Sequence, residues 1–70
     1  MKYVGIKQVL KAVREGSVKK VYIGLDAERH VLEELLKTCR DKNVEIIKVK
    51  TMAELGKLAN IDIGASAAAD

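Results

Sequence analysis

The strongest constraint on the fold is a pair of short apolar runs that flank one amphipathic helical segment. The runs are VKKVYIGL at 18–25 and VEIIKV at 44–49, and both suit buried strands. Over about 27–41, one helical face is apolar and consists of Val31, Leu32, Leu35, Leu36 and Cys39. A strand, a helix and a second strand in this order predict parallel pairing through a right-handed crossover.

Two further helices are predicted, one on each side of this unit. The segment GIKQVLKAVREG at 5–16 has helical period and ends at Gly16, which suits a helix stop. Its buried face comprises Ile6, Val9, Leu10 and Val13. A third helix begins at a capping box formed by Thr51 and Glu54 and runs to about Asn60. Its buried residues are expected to be Met52, Leu55 and Leu58.

The order α-β-α-β-α predicts a small three-layer α/β/α sandwich, with residues 1–70 forming a single domain. Hydrophobic residues make up 49% of the chain, which is ample for a core and argues against disorder. Because Tyr3 and Tyr22 are the only aromatic residues, that core must consist of Val, Ile, Leu and Ala.

The first helix carries a row of cations. Lys7, Lys11 and Arg14 share one face, with Gln8 beside them, and residues 1–20 hold six basic residues against one acidic residue. Residues 21–70 have a net charge of −2, so the basic excess is local and favours an oriented anionic partner. Gly5 would let a phosphate or base edge approach the unpaired amides at the helix start. This pattern suggests a nucleic-acid contact surface, although a solvated helix face is an equally good interpretation.

The segment NIDIGASAAAD at 60–70 shows no helical period. Ile61 and Ile63 stand beside the small residues Gly64, Ala65 and Ser66. Two interpretations are open: a loop packed into the core, or a small apolar platform on which an extruded base rests.

The sequence offers little for catalysis. His30 has no Ser or Cys at a convincing spacing, so we expect it to face solvent. Asp26 follows the first predicted strand but is expected to cap the next helix, and Cys39 is expected to be a buried packing residue. There is no phosphate-binding GxxxxGK[ST] motif and no His/Cys cluster, so we predict no enzyme, cofactor or metal site.

The setting is predicted to be cytoplasmic. Cys39 is the single cysteine and cannot form an internal disulfide. No apolar run approaches the roughly 20 residues of a membrane span, and no signal peptide is visible.

Four segments together resemble the superfamily of kink-turn RNA-binding ribosomal proteins, which includes the archaeal seven-Ae and eukaryotic thirty-e proteins and short bacterial members. The segments are GIKQVLKAVREG at 5–16, VKKVYIGLDAE at 18–28, LLKTCRDKNVEIIKV at 35–49 and ELGKLANIDIGASA at 54–67. The resemblance implies an α/β/α sandwich that binds a sharply bent RNA internal loop with tandem sheared G·A pairs. Ribosomal RNA is one partner that it suggests.

The resemblance also implies roles for particular residues. The start of the first helix would enter the major groove at the G·A pairs through Gly5, Lys7, Gln8 and Lys11. The apolar loop would cover the looped-out nucleotides, and its residues are Ile61, Asp62, Ile63, Gly64 and Ala65. Residues 54–56 match the helix start that supports this loop.

The chain departs from the family pattern in two places. Many archaeal members have Asn-Glu where this chain has Lys7-Gln8, so we expect the base contacts to differ in detail. Members usually continue past the alanine-rich stretch with a closing strand and a final helix, whereas this sequence ends at Asp70, so we expect a truncated end or a partial strand. The alternative function is a protein-interaction or assembly subunit without independent RNA affinity.

Overall fold

One mixed sheet organises the structure, which is a computed structural model describing residues 1–70. In chain order the elements are β1 (Tyr3–Val4), α1 (Ile6–Arg14), β2 (Lys20–Gly24), α2 (Arg29–Asp41), β3 (Glu45–Val49), α3 (Met52–Leu58) and β4 (Ala67–Ala69). The strand order is β1-β4-β2-β3. The predicted parallel pairing of β2 with β3 is confirmed, and β4 runs antiparallel to both β1 and β2.

Helices cover both faces of the sheet, so the predicted three-layer sandwich is confirmed. On one face α1 and α2 pack over Val21, Ile23, Ala67 and Ala69. On the other face α3 packs over Val49 and Ala68. The two cores alternate along β4 because successive side chains of a strand point to opposite faces.

All three helices end in the same way, with a residue in the left-handed region. At the end of α1 this residue is Gly16, with φ 73°, and the Ser17 amide donates to the Ala12 carbonyl at 2.9 Å. Asn43 and Asn60 have the same role after α2 and α3. Such caps satisfy backbone carbonyls that a helix end leaves unpaired. None of the three helices combines the length and the apolar character that crossing a bilayer requires.

The structure adds two strands, β1 and β4. The sequence did not predict β1, and for the end of the chain the family resemblance suggested at most a partial strand. Residues 60–70 showed no recognisable period, yet Ala67–Ala69 form a fully buried strand in the interior of the sheet. Alanine has a low strand propensity, so the pattern gave no sign of it. Its small side chain is nevertheless well suited to a strand that is covered on both faces by helices.

The predicted burial of Leu58 was wrong, because this side chain is 58% exposed. The core stripe of α3 continues from Leu55 to Ala59 instead, which are four residues apart and both buried. Met52 is only half-buried.

Candidate nucleic-acid interface

Four chain segments meet at one edge of the sheet. The ends of β1, β2 and β3 and the start of β4 share this edge, because β4 is antiparallel to its neighbours and β2 is parallel to β3. The start of α1 and the loop 59–66 therefore lie at the same edge, together with the connections 25–28 and 50–51. We refer to this region as the loop edge.

Gly5 determines how α1 begins. Its φ of 99° and ψ of 151° are readily adopted only by glycine. No side chain caps the helix, and its first turn contains no acidic residue. The first backbone amides of α1 consequently face outward without intrahelical partners, and they carry partial positive charge.

The predicted polar residues of α1 fall into two groups. Lys7, Gln8 and Lys11 are exposed in the first two turns, and neither lysine takes part in an ion pair. Arg14 is the last residue of α1, and its guanidinium lies 3.6 Å from the Glu34 carboxylate of α2. At a rise of about 1.5 Å per residue, Arg14 is roughly 10 Å along the helix from Lys7. The loop edge is therefore flanked by two uncompensated lysine charges, and Arg14 stands apart from them.

The structure buries part of the loop and exposes the rest. Ile61 and Ala65 pack into the core beneath α3, whereas Asp62, Ile63 and Gly64 are exposed. Ile63 is 74% exposed, the largest exposure among the bulky apolar residues. The core thus anchors the two ends of the loop while its tip presents one large apolar side chain to solvent.

Backbone contacts hold the loop against α3. The Ile61 amide donates to the Gly56 carbonyl at 3.0 Å, and the Ala65 amide donates to the Met52 carbonyl at 3.0 Å. A Cβ at Gly56 would lie 2.0 Å from the carbonyl oxygen of Ile63. Only glycine at position 56 permits this approach, because any side chain would occupy the space of the loop backbone.

Two hydrogen bonds place the loop next to the start of α1. The Gly5 amide donates to the Ala67 carbonyl at 2.9 Å, and the Gly24 amide donates to the Ser66 carbonyl at 3.0 Å. These bonds hold the end of the loop between Gly5, which precedes α1, and Gly24, the last residue of β2. The end of the apolar loop is therefore adjacent to the start of the cationic helix.

Asp26 has a different role from the one predicted. It does not cap α2, whose N-terminal flanking residue is Glu28 without a side-chain hydrogen bond. Instead Asp26 Oδ1 accepts the Met52 amide at 2.7 Å and so joins the end of β2 to the start of α3. Sequence reasoning missed this because the partners are 26 residues apart. Thr51 does act as the predicted cap, since its Oγ1 accepts the Glu54 amide at 3.1 Å.

Leu25 is another residue of the loop edge that the sequence did not single out. It follows β2 directly and is 50% exposed. Its position in an apolar run suggested burial. The structure shows that β2 ends at Gly24, so Leu25 lies outside the strand and its side chain reaches solvent.

The two other residues considered for chemistry behave as expected. His30 is exposed, with Nε2 3.3 Å from the Glu28 carboxylate. Cys39 is buried in the core between α2 and the sheet, and burial raises the pKa of its thiol.

Comparison with known proteins identifies the family. The model of the ribosomal protein L7Ae/L30e/S12e/Gadd45 family matches residues 3–69. The chain belongs to this family. The resemblance predicted from the four sequence segments is therefore confirmed.

Individual family relatives support the same placement. RNA-binding protein TTE2299 of Caldanaerobacter subterraneus is 48% identical over 67 residues, which cover 96% of this chain and 82% of the relative. The structure of a Giardia lamblia 15.5 kD RNA binding protein superimposes with a TM-score of 0.87 at 27% identity, covering 94% of this chain. A protein of unknown function from Bacillus halodurans gives a TM-score of 0.85, also at 27% identity and 94% coverage. This chain spans 56% and 66% of those two proteins, respectively.

Proposed function

We propose that this protein binds RNA and recognises a kink-turn, a sharply bent internal loop with tandem sheared G·A pairs. The observation that carries the proposal is the hydrogen bond from the Gly5 amide to Ala67, which joins the start of α1 to the residue that directly follows the loop 59–66. A bent RNA element presents an opened groove and looped-out bases on one side, and the loop edge offers a matching surface for each. The names of the relatives, which are RNA-binding proteins, support RNA as the polyanion.

The start of α1 would read the opened groove. The major groove of regular A-form RNA is too deep and narrow for side chains, so base edges are reached only where the helix is distorted. The amides after Gly5 can bind phosphate or base oxygens without obstruction from a Cβ. Lys7 and Lys11 only donate, whereas the amide of Gln8 both donates and accepts at a base edge.

The loop would cover the nucleotides that the kink expels. Ile63 offers an exposed apolar surface, and the exposed residue Gly64 lies beside it. Asp62 is exposed at the same tip and accepts hydrogen bonds from exocyclic amines. Because Ile61 and Ala65 are held in the core, the loop would require little ordering when RNA binds.

The activity is binding without bond chemistry. A protein that contacts only the bent form shifts the RNA towards that form, by no more than the difference in its affinity for the two shapes. Each phosphate neutralised by a lysine should contribute roughly 0.7–0.9 to the slope of log affinity against log salt.

A gel-shift titration tests the proposal. We expect a kinked internal-loop RNA to bind more tightly than a fully paired duplex of equal length. In the same assay Lys11→Ala should weaken binding to the kinked RNA. Lys37→Ala is the matched control and should not, because Lys37 is an exposed lysine on α2. Equal affinity for the two RNAs, or preference for the duplex, would reject kink-turn recognition, and absence of binding would favour an assembly subunit. Sequencing of RNA crosslinked to the protein in cells would show whether ribosomal RNA is the partner.

A further inference from the structure

A groove runs along the side of α1 that borders the edge strand β1. It has a volume of about 300 Å³. Its lining residues are Tyr3, Gln8, Lys11, Ala12 and Glu15. This volume is at the low end of the roughly 300–1,000 Å³ of ligand pockets, so the groove suits one base and not a larger ligand.

The groove exists because a small residue of α1 lies beside a large one of β1. Ala12 is buried and carries only a methyl group, while the half-buried side chain of Tyr3 forms the neighbouring surface. Gln8, Lys11 and Glu15 are spaced three and four residues apart, so they follow one another along the rim of the groove.

The chemistry of the lining suits a nucleotide. The phenol ring of Tyr3 packs partly against the core, and the ammonium of Lys2 lies 5.7 Å from the ring centre. An aromatic ring accepts any base by stacking, and the amide of Gln8 can pair with a base edge. Lys2 is exposed and flexible, so its ammonium can move from the ring to a phosphate when a base takes its place.

Two lysines border the groove. Lys11 lies on its rim in the second turn of α1, and Lys2 lies beside the Tyr3 ring before β1, at the end of that strand away from the loop edge. Glu15 directly follows α1. A phosphate is attracted to the two lysines and repelled by Glu15.

We propose that this groove binds one unpaired nucleotide of the same kinked RNA, with its base stacked on Tyr3 and its phosphate at Lys2 and Lys11. The groove is continuous with the proposed interface, because Gln8 and Lys11 belong to both. The inference rests on the proposed function and extends it from the bent element to an adjoining nucleotide.

Substitutions at Tyr3 test the role of the ring. Tyr3→Phe retains a stacking surface and Tyr3→Leu retains apolar packing only. We expect Tyr3→Phe to bind kinked RNA as the wild type does, and Tyr3→Leu to bind about tenfold more weakly. Tyr22→Leu is the matched control, because Tyr22 is the other tyrosine and packs on the opposite face of the sheet. Thermal unfolding of each variant shows that it is folded at the assay temperature.

The bound base is located with 2-aminopurine placed in turn at each unpaired position of the kinked RNA. We expect one position to be quenched by the wild type and by Tyr3→Phe, but not by Tyr3→Leu. Wild-type affinity in Tyr3→Leu, or no position with Tyr3-dependent quenching, would overturn the groove assignment while the preference for kinked RNA stands. If the wild-type protein shows no preference for kinked RNA over the duplex, the proposed function itself is rejected. That measurement does not depend on the Tyr3 variants.

Discussion

Replacing Gly56 by alanine tests how closely the loop must approach α3. The added Cβ would lie 2.0 Å from the carbonyl oxygen of Ile63 and 3.2 Å from the Cα of Gly64. An ordinary contact begins at 3.4 Å, so the carbonyl must move by about 1.4 Å. Because the obstructing atoms belong to the backbone, no rotation of a side chain can relieve the clash.

The expected loss of stability combines two destabilising effects with one stabilising effect. Overpacking of this kind costs about 1–3 kcal/mol. The displacement also weakens the hydrogen bonds at the two ends of the loop, from Ile61 to Gly56 and from Ala65 to Met52, each contributing about 1 kcal/mol. Alanine returns about 1 kcal/mol through its higher helix propensity. We therefore expect Gly56→Ala to lower the free energy of unfolding by about 2 kcal/mol, or roughly 10 °C in a domain of this size.

Thermal and denaturant unfolding measure this change. Lys57→Ala is the control, because it alters the next residue of α3, which is exposed, and should change stability by less than about 0.5 kcal/mol. Kinked-RNA affinity should fall in Gly56→Ala and not in the control, since the loop tip moves. If Gly56→Ala were as stable as the wild type, the inferred packing of the loop on α3 would be incorrect.

Three further predictions follow from other contacts. Asp26→Ala should lower the free energy of unfolding by about 1 kcal/mol, because the Met52 amide loses its acceptor. Asp26→Asn retains an oxygen acceptor and should keep most of that stability. Equal loss in both variants would contradict this role. Lys11→Ala should weaken kinked-RNA binding by about 1 kcal/mol or more and reduce the salt slope, whereas Arg14→Ala should have a smaller effect because Arg14 pairs with Glu34; the reverse order would exclude Lys11 from the interface. Burial raises the pKa of the Cys39 thiol, so the folded protein holds this proton more tightly than the unfolded chain. The free energy of unfolding should therefore fall as pH rises above about 8.5. An identical fall in Cys39→Ala would show that Cys39 is not the group responsible.

Helix faces and helix ends were predictable from the sequence because they depend on neighbouring residues. The spacing of Val9, Leu10 and Val13 correctly predicted the buried side of α1. The glycine at position 16 and the cap from Thr51 to Glu54 were likewise recognised from residues a few positions apart. The parallel pairing of β2 and β3 also followed, since a single helix between two strands leaves little choice.

Features that depend on distant residues escaped this reasoning. The Asp26 carboxylate could cap the adjacent helix or a remote one, and the local pattern favoured the wrong partner. Leu58 matched the spacing of a buried residue, but α3 buries Ala59 instead. The strand Ala67–Ala69 owes its existence to β1 and β2 on either side, and not to the propensity of alanine.

The residue pattern alone therefore predicted the family, the layered α/β architecture and the two segments of the proposed interface. Their meeting at one edge is a property of the assembled sheet, because it depends on β4 lying between β1 and β2 and carrying the loop to Gly5. Periodicity reports which side of an element is apolar, whereas strand order depends on contacts between residues far apart in the chain. Those contacts form only when the whole core is in place.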